Sequence, residues 1–266
     1  MKRFISACLL ATTLTAPMQA QAGSSANGVA ILPADQVASF ANRVQQDLAA
    51  RGARVAIVAR VGRDPAQLPD DVTYTHVGIW VYSRITLADG STGQGYRVYN
   101  LYQQADNPVR SDLVQDSPAD FFAGAHVFDA GIIIPDPRLQ TKLLDVIGSP
   151  TYSALHNPVY SALSNPNTNR FQNCTEHTLN VLMAALYDTD DLNQIKANTA
   201  AYFVPQPIAV NGLQRAFATV ASQALTTADH GPNVATATFG SIARFMENND
   251  LAAEVYRITP TSVVRF

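Results

Sequence analysis

The sequence predicts an α+β fold in which a small antiparallel sheet packs against helices. Residues 54–61 are a short run rich in β-branched side chains, which is typical of a buried strand. Two further strands are predicted over residues 73–82 and 96–102, on either side of the turn Ala88-Asp89-Gly90. They should therefore pair as an antiparallel hairpin. Segments with apolar residues at helical spacing flank this group.

The helices are predicted from apolar stripes and from their start and stop signals. Residues 34–51 form the first helix, which Gly52 ends. Ser117-Pro118 and Asp136-Pro137 each open another helix, because a capping residue precedes a proline at the first helical position. Residues 157–169 should form an exposed loop. The remaining predicted elements are helices over residues 174–186, 212–225 and 241–248, and closing strands over residues 254–258 and 262–265.

The first 22 residues have the pattern of a signal peptide. Lys2 and Arg3 precede a short apolar stretch, and Ala20-Gln21-Ala22 has the small-x-small form of a cleavage site. The stretch is too short to span a membrane, and no later apolar run is long enough to do so. We therefore predict an exported protein, located in a bacterial periplasm, whose residues 23–266 form a single domain.

Composition excludes several partners. The 266-residue chain carries a formal net charge of −3 and has no basic run, which disfavours binding to nucleic acid or to anionic lipid. No cofactor is predicted, and no metal, because cysteines and carboxylates are not clustered as ligands. The sequence leaves the oligomeric state undefined.

Cys174 is the residue most indicative of chemistry, since it is the only cysteine that remains after the signal peptide. It has no disulfide partner, and it follows Asn173 at the start of a predicted helix. The positive end of a helix favours the thiolate, which is the nucleophilic form. Glu176 should complete a capping box with Asn173. The alternative is that Cys174 only fills space in the core.

His76 and Asn100 are the predicted partners of this thiol. A catalytic cysteine needs an imidazole to carry its proton and a polar group to orient that imidazole. His76 begins the second strand, and Asn100 interrupts the apolar pattern of the third, with Gln103 as the alternative orienting residue. The backbone amide of Cys174 and the side chain of Gln172 would bind an oxyanion. Gly78, on the same face as His76, should let the cysteine helix approach closely.

Two segments carry a family resemblance. Tyr74-Thr75-His76-Val77-Gly78-Ile79 and, about a hundred residues later, Asn173-Cys174-Thr175-Glu176-His177 resemble the circularly permuted branch of the NlpC-like papain-fold superfamily, to which lecithin:retinol acyltransferase belongs. The chain also resembles a family of exported bacterial proteins that is known only as a domain of unknown function. The resemblance implies a papain-like fold with a Cys174–His76 active site. Asn100 then stands where acyltransferase-type relatives often have a second histidine.

Three functions follow as hypotheses. The first is a thiol hydrolase that cleaves an amide or ester bond, with a cell-wall peptide as the substrate that the resemblance implies. The second is a catalytically inactive module of the same fold that binds a peptide or a protein. The third is an acyltransferase. His177 would share the helix face of Cys174, either as a surface histidine or as a metal ligand.

Overall fold

The computed structural model describes residues 30–69, 71–86, 89–209 and 223–266. The predicted signal peptide lies outside the described residues, as does most of the predicted helix over residues 212–225. The described part confirms the α+β class, because an antiparallel sheet packs against helices.

The main sheet has seven strands in the described part of the chain, and every neighbouring pair is antiparallel. Its order is β4-β3-β2-β1-β5-β8-β9, and β6 and β7 form a separate pair. The strand bounds are β1 Val55–Arg60, β2 His76–Thr86, β3 Thr92–Gln103, β4 Ser111–Asp116, β5 Ala130–Pro135, β6 Gln206–Ile208, β7 Val234–Thr236, β8 Ala252–Ile258 and β9 Val263–Arg265.

Two strands of this sheet were not predicted. β5 is buried along its whole length between β1 and β8, and its six residues lack the polar alternation that marks a half-exposed strand. β4 is an edge strand with acidic and amide side chains, and charged residues are the usual protection of a sheet edge. Both strands depend on neighbours that are distant in sequence, so local patterns do not reveal them.

Helices cover both faces of the sheet. α1 and α2 pack on one face, and α3, α5 and α7 pack on the other. None of the described helices is both long and apolar enough to cross a membrane. The helix bounds are α1 Ala34–Ala50, α2 Pro118–Ala123, α3 Pro137–Ile147, α4 Thr151–Ala154, α5 Cys174–Tyr187, α6 Leu192–Tyr202 and α7 Phe239–Asn248.

The first helix follows its prediction closely. α1 buries the five residues of the predicted apolar stripe, and it ends at Ala50, two residues before Gly52, which adopts a φ of +68°. The predicted stripe is Val37, Phe40, Ala41, Val44 and Leu48. Residues 157–169 form a loop as predicted, but the loop is not exposed throughout, because Tyr160, Ser161 and Ser164 are buried.

The hairpin of β2 and β3 creates the opening in which the candidate site lies. Its ladder runs from Thr86 opposite Thr92 to Ile79 opposite Tyr99. Among the described residues it does not continue to the start of β2 or the end of β3. His76 therefore lies where the two strands are no longer paired. Helix α5 begins beside this opening.

Candidate active site

Cys174 is the first residue of α5, and its position is fixed by the preceding residue. The side chain of Asn173 accepts a hydrogen bond from the Glu176 amide at 2.8 Å, which caps the helix as predicted. The Asn173 amide nitrogen donates to the carbonyl of Ala162 at 3.0 Å and to the hydroxyl of Thr236 at 3.3 Å. These contacts tie the helix start to two other segments. The thiol is therefore held in a defined place.

The sulfur lies against the strand that carries His76. The backbone amide of Val77, the residue after His76, lowers the pKa of the thiol, and the hydroxyl of Thr175 lies 3.8 Å from the sulfur. Both groups and the positive charge of Arg60 favour the thiolate. Burial nevertheless raises the pKa of the Cys174 thiol above its usual value, since only 4% of the residue is exposed. Burial thus opposes the thiolate that the helix terminus favours, and desolvation is the larger of the two effects.

His76 and Asn100 form the predicted pair. Nε2 of His76 lies 3.1 Å from Oδ1 of Asn100, and both residues are buried. An amide oxygen only accepts, so the imidazole carries its proton on Nε2 and leaves Nδ1 as the basic nitrogen. Nδ1 is buried and has no hydrogen-bond partner in the described part of the chain. The alternative residue, Gln103, instead donates to the carbonyl of Pro108 at 2.7 Å.

The imidazole of His76 is held neutral. Burial lowers its pKa well below the usual value, and the charge of Arg60 lowers it further, whereas the bond to Asn100 acts in the opposite direction. The ring also stacks on Tyr102 with a centroid distance of 4.7 Å. A neutral, fixed imidazole with a free ring nitrogen is suited to accept a proton.

Three further residues surround this pair, and sequence reasoning assigned none of them a role. The Asn100 amide nitrogen donates to Oδ2 of Asp116 at 3.2 Å, and the neighbouring Tyr102 hydroxyl lowers the pKa of that carboxylate, while burial raises it more strongly. Arg60 lies opposite His76 in the register of β1 and β2 and donates to the carbonyl of Phe121. The sequence could have pointed to Arg60, because an arginine at the end of an apolar strand is an unusual residue there. Asp116 gave no such signal, because it belongs to β4, which was not predicted.

Gly78 makes room for Asn100 rather than for the cysteine helix. A Cβ atom at Gly78 would lie 2.5 Å from Oδ1 of Asn100 and 3.1 Å from the ring of Phe121 in α2. The predicted reason for the glycine is therefore wrong, because its side of the sheet faces α1 and α2 while α5 packs on the opposite face. The absence of a side chain is what lets Asn100 reach His76.

Glu176 does not complete a capping box. Its carboxylate instead lies 2.5 Å from Nζ of Lys196, which also donates to Asn180 and to the carbonyl of Pro166, each at 3.1 Å. Burial raises the pKa of Glu176 to about 7, and the charge of Lys196 opposes that rise. The first turn of α5 is thus anchored through an ion pair with α6, a helix that was not predicted.

Gln172 supports the segment before the helix. Its amide nitrogen donates to the carbonyl of Leu155, and its amide oxygen accepts from the Asn157 backbone, both at 2.9 Å. It is not among the residues that line the cavity at Cys174. These contacts give Gln172 a structural role and do not direct it toward an oxyanion.

His177 is not a surface residue as predicted. Only 2% of it is exposed, and its ring packs edge-on against Tyr152 at 5.0 Å. Burial and the neighbouring His156 lower its pKa to about 3. Among the described residues, no three histidine, cysteine or acidic side chains are grouped so that they could hold a metal.

A cavity of about 400 Å³ adjoins the thiol. Asn173, Cys174 and Thr175 form part of its wall, and the loop between β1 and β2 forms another part. Most of the remaining lining is apolar, and it includes Leu68, Pro69, Val72, Tyr160, Leu163, Ile208 and Leu225. His76 does not line the cavity, and no hydrogen bond joins its ring to the Cys174 sulfur in the described part of the chain. The structure therefore does not hydrogen-bond the predicted base to the predicted nucleophile.

Residues 47–246 match the model of a family described as an uncharacterized protein conserved in bacteria, DUF2145. The chain belongs to this family. The matched segment includes His76, Asn100 and Cys174, so the whole candidate site lies in the part of the chain that defines DUF2145. Neither a curated protein nor a solved structure matches the chain.

The arrangement in this DUF2145 protein combines the parts of a nucleophilic site. It holds a thiol at a capped helix start, a neutral imidazole oriented by an amide, and a cavity that reaches the thiol. The amide of Cys174 belongs to the first turn of α5, whose amides have no partner within the helix. Such an amide is suited to bind negative charge that develops on a carbonyl oxygen.

Proposed function

We propose that this chain is an exported, periplasmic thiol hydrolase that cleaves an amide or ester bond, built on a circularly permuted papain-like fold. Cys174 is the nucleophile, His76 carries its proton, and Asn100 orients the imidazole. One observation supports this most strongly. His76 and Asn100 form a buried hydrogen-bonded pair at 3.1 Å, and Cys174, at the capped start of α5, lines a cavity.

The reaction begins from a neutral thiol and a neutral imidazole. No hydrogen bond joins Nδ1 of His76 to the sulfur at rest, so substrate binding must first bring the two groups together. As the sulfur then attacks the carbonyl carbon, the thiol proton passes to Nδ1, and the negative oxygen is bound by the Cys174 amide. The imidazolium then gives this proton to the departing amine or alcohol, which leaves an acyl group on the sulfur. Water, deprotonated by His76, attacks this thioester and releases a carboxylic acid and the free thiol. The hydrogen bond from Nε2 to Asn100 keeps the ring in place throughout.

The resting protonation states distinguish this mechanism from one that starts with a thiolate. Burial raises the pKa of Cys174 and lowers the pKa of His76, so the ion pair does not form before the substrate arrives. His76 therefore acts as a general base during the attack. Its depressed pKa keeps the base available at acidic pH.

The cavity also supports an acyltransferase as a second candidate. Its largely apolar lining would accommodate an apolar acyl group on the sulfur. The acceptor decides between the two reactions, since water gives hydrolysis and another nucleophile gives transfer. Adding a primary amine or alcohol to the reaction and analysing the products by mass spectrometry distinguishes them.

A binding module without catalysis is the third candidate. It is favoured by the complete burial of His76, which does not line the cavity, and by the raised pKa of the thiol. In this case a peptide would occupy the cavity without reacting, and Cys174 and His76 would contribute only to packing.

The test uses isolated peptidoglycan, the substrate class that the family resemblance suggests, and measures soluble fragments released by the purified protein. Cys174→Ser and His76→Ala should reduce release to the level of the buffer blank. Asn100→Ala should reduce it about tenfold to a hundredfold, because the imidazole loses its orientation but keeps its basicity. His126→Ala is the matched control, since it changes a histidine outside the site.

The outcomes separate the candidates. Release of fragments that persists in Cys174→Ser would refute the thiol mechanism. If the wild-type protein sediments with peptidoglycan but releases nothing, and His76→Ala binds equally well, the binding module is the correct function.

A further inference from the structure

Arg63 is the only charged residue among the described residues that line the cavity at Cys174. It lies in the loop between β1 and β2, three residues after Arg60. The same lining contains no aspartate or glutamate, and its other members are apolar or neutral polar side chains. The described cavity thus offers a ligand one full charge, which is positive.

The guanidinium of Arg63 has no counter-ion in the part of the chain that the structure describes. Among the described residues it makes no ion pair and no hydrogen bond with another side chain or the backbone. The neighbouring carboxylate of Asp64 accepts from the Ala66 amide at 3.0 Å and caps a short 3-10 turn. Arg63 is half-buried, and burial lowers its pKa. A partly desolvated cation without a partner is unfavourable unless a ligand supplies the negative charge.

The position of Arg63 relative to the thiol is set by the fold. The amide of Gly62, directly before Arg63, donates to the Thr75 hydroxyl at 2.9 Å, and Thr75 directly precedes His76. The base of the Arg63 side chain is therefore tied to the strand end that carries the imidazole. Because Arg63 and Cys174 line one cavity, a group bound to Arg63 would determine which bond of the ligand meets the sulfur.

We propose, building on the hydrolase function above, that Arg63 binds a carboxylate of the substrate. The substrate class is then an acyl compound that carries a carboxylate together with an apolar portion, which packs against walls such as Leu163 and Ile208. A guanidinium suits this role because its planar fork can donate two parallel hydrogen bonds to one carboxylate. A neutral amide of the same shape would lose the charge attraction.

The experiment compares two probes of equal size, hexanoate and hexanamide, whose binding to the purified protein is measured by NMR titration at low salt. The wild-type protein should bind hexanoate about threefold to tenfold more tightly than hexanamide, which is the range expected for a partly exposed charged pair. Arg63→Met should abolish this preference, and Arg63→Lys should retain part of it. Arg138→Met, a change at an arginine that is 90% exposed, should leave the preference unchanged.

The same titration on Cys174→Ala separates this inference from the proposed function. The preference for hexanoate should persist in that variant, because it needs the cavity and not the nucleophile. If the preference persists while no hydrolysis is found, only the catalytic proposal fails. Equal binding of the two probes by the wild-type protein, no binding of either, or a preference that survives in Arg63→Met would overturn the role of Arg63.

Discussion

Replacing Gly78 with alanine should disturb the candidate site while Cys174, His76 and Asn100 themselves remain unchanged in sequence. The new Cβ atom would lie 2.5 Å from Oδ1 of Asn100, 3.0 Å from a methyl group of Val98 and 3.1 Å from the Phe121 ring. The first contact is far inside the sum of the van der Waals radii. The Asn100 side chain must therefore move by several tenths of an ångström, away from a hydrogen bond to His76 that is now 3.1 Å long.

The expected cost has two parts. Overpacking a well-packed core costs about 1–3 kcal/mol. Loss or weakening of the buried bond between His76 and Asn100 adds about 1 kcal/mol. Gly78→Ala should therefore lower the free energy of unfolding by about 2–4 kcal/mol. For a domain of this size, that corresponds to a fall in melting temperature of very roughly 4–15 °C.

A double-mutant cycle in urea isolates the contact with Asn100. In an Asn100→Ala background the oxygen that meets the new methyl group is gone, and only the contacts with Val98 and Phe121 remain. Gly78→Ala should then cost at least about 1 kcal/mol less than in the wild-type protein. Gly95→Ala is the matched control, because it lies on the same hairpin but its close contact, at 2.6 Å, is with the flexible end of Ile85.

The activity of the same variants completes the test. Gly78→Ala should reduce the hydrolysis rate about as much as Asn100→Ala does, while Gly95→Ala should leave it near the wild-type value. If Gly78→Ala costs the same free energy with and without the Asn100 side chain, glycine is not required there to accommodate Asn100, and our account of the pair is wrong.

Three further predictions concern buried titratable groups. The unfolded state protonates His177 near pH 6.5 and the folded state only near pH 3, so the free energy of unfolding should fall by up to about 5 kcal/mol as pH drops through this window. Urea unfolding of His177→Leu should show a shallower fall with pH, and an unchanged slope would contradict this prediction. Lys196→Met should destabilise the folded protein by about 3–5 kcal/mol at pH 8 and by less at pH 5, where Glu176 is protonated. Adding Glu176→Gln to this variant should restore stability, and a loss of stability that does not depend on pH would refute the prediction. The rate of Cys174 alkylation by iodoacetamide should keep rising above about pH 8.5, since burial raises the thiol pKa; a plateau below pH 8 would contradict it.

Local patterns in the sequence predicted the parts of the site that lie within one element or one hairpin. The patterns of two neighbouring strands placed His76 and Asn100 at the same end of an antiparallel hairpin, where their side chains meet at 3.1 Å although the ladder itself stops at Ile79 and Tyr99. The capped start of α5 likewise followed from Asn173 alone. These features depend on residues that are close in sequence or paired by a short turn.

The electrostatics of the site were decided only by the tertiary structure. Arg60, Asp116 and Lys196 come from separate parts of the chain, and each acquires its role by packing beside a residue distant in sequence. The raised pKa of Cys174 is the clearest case, since the helix terminus visible in the sequence favours a thiolate and burial reverses the outcome. A sequence shows which groups can ionise, whereas the extent of their desolvation depends on everything that packs around them.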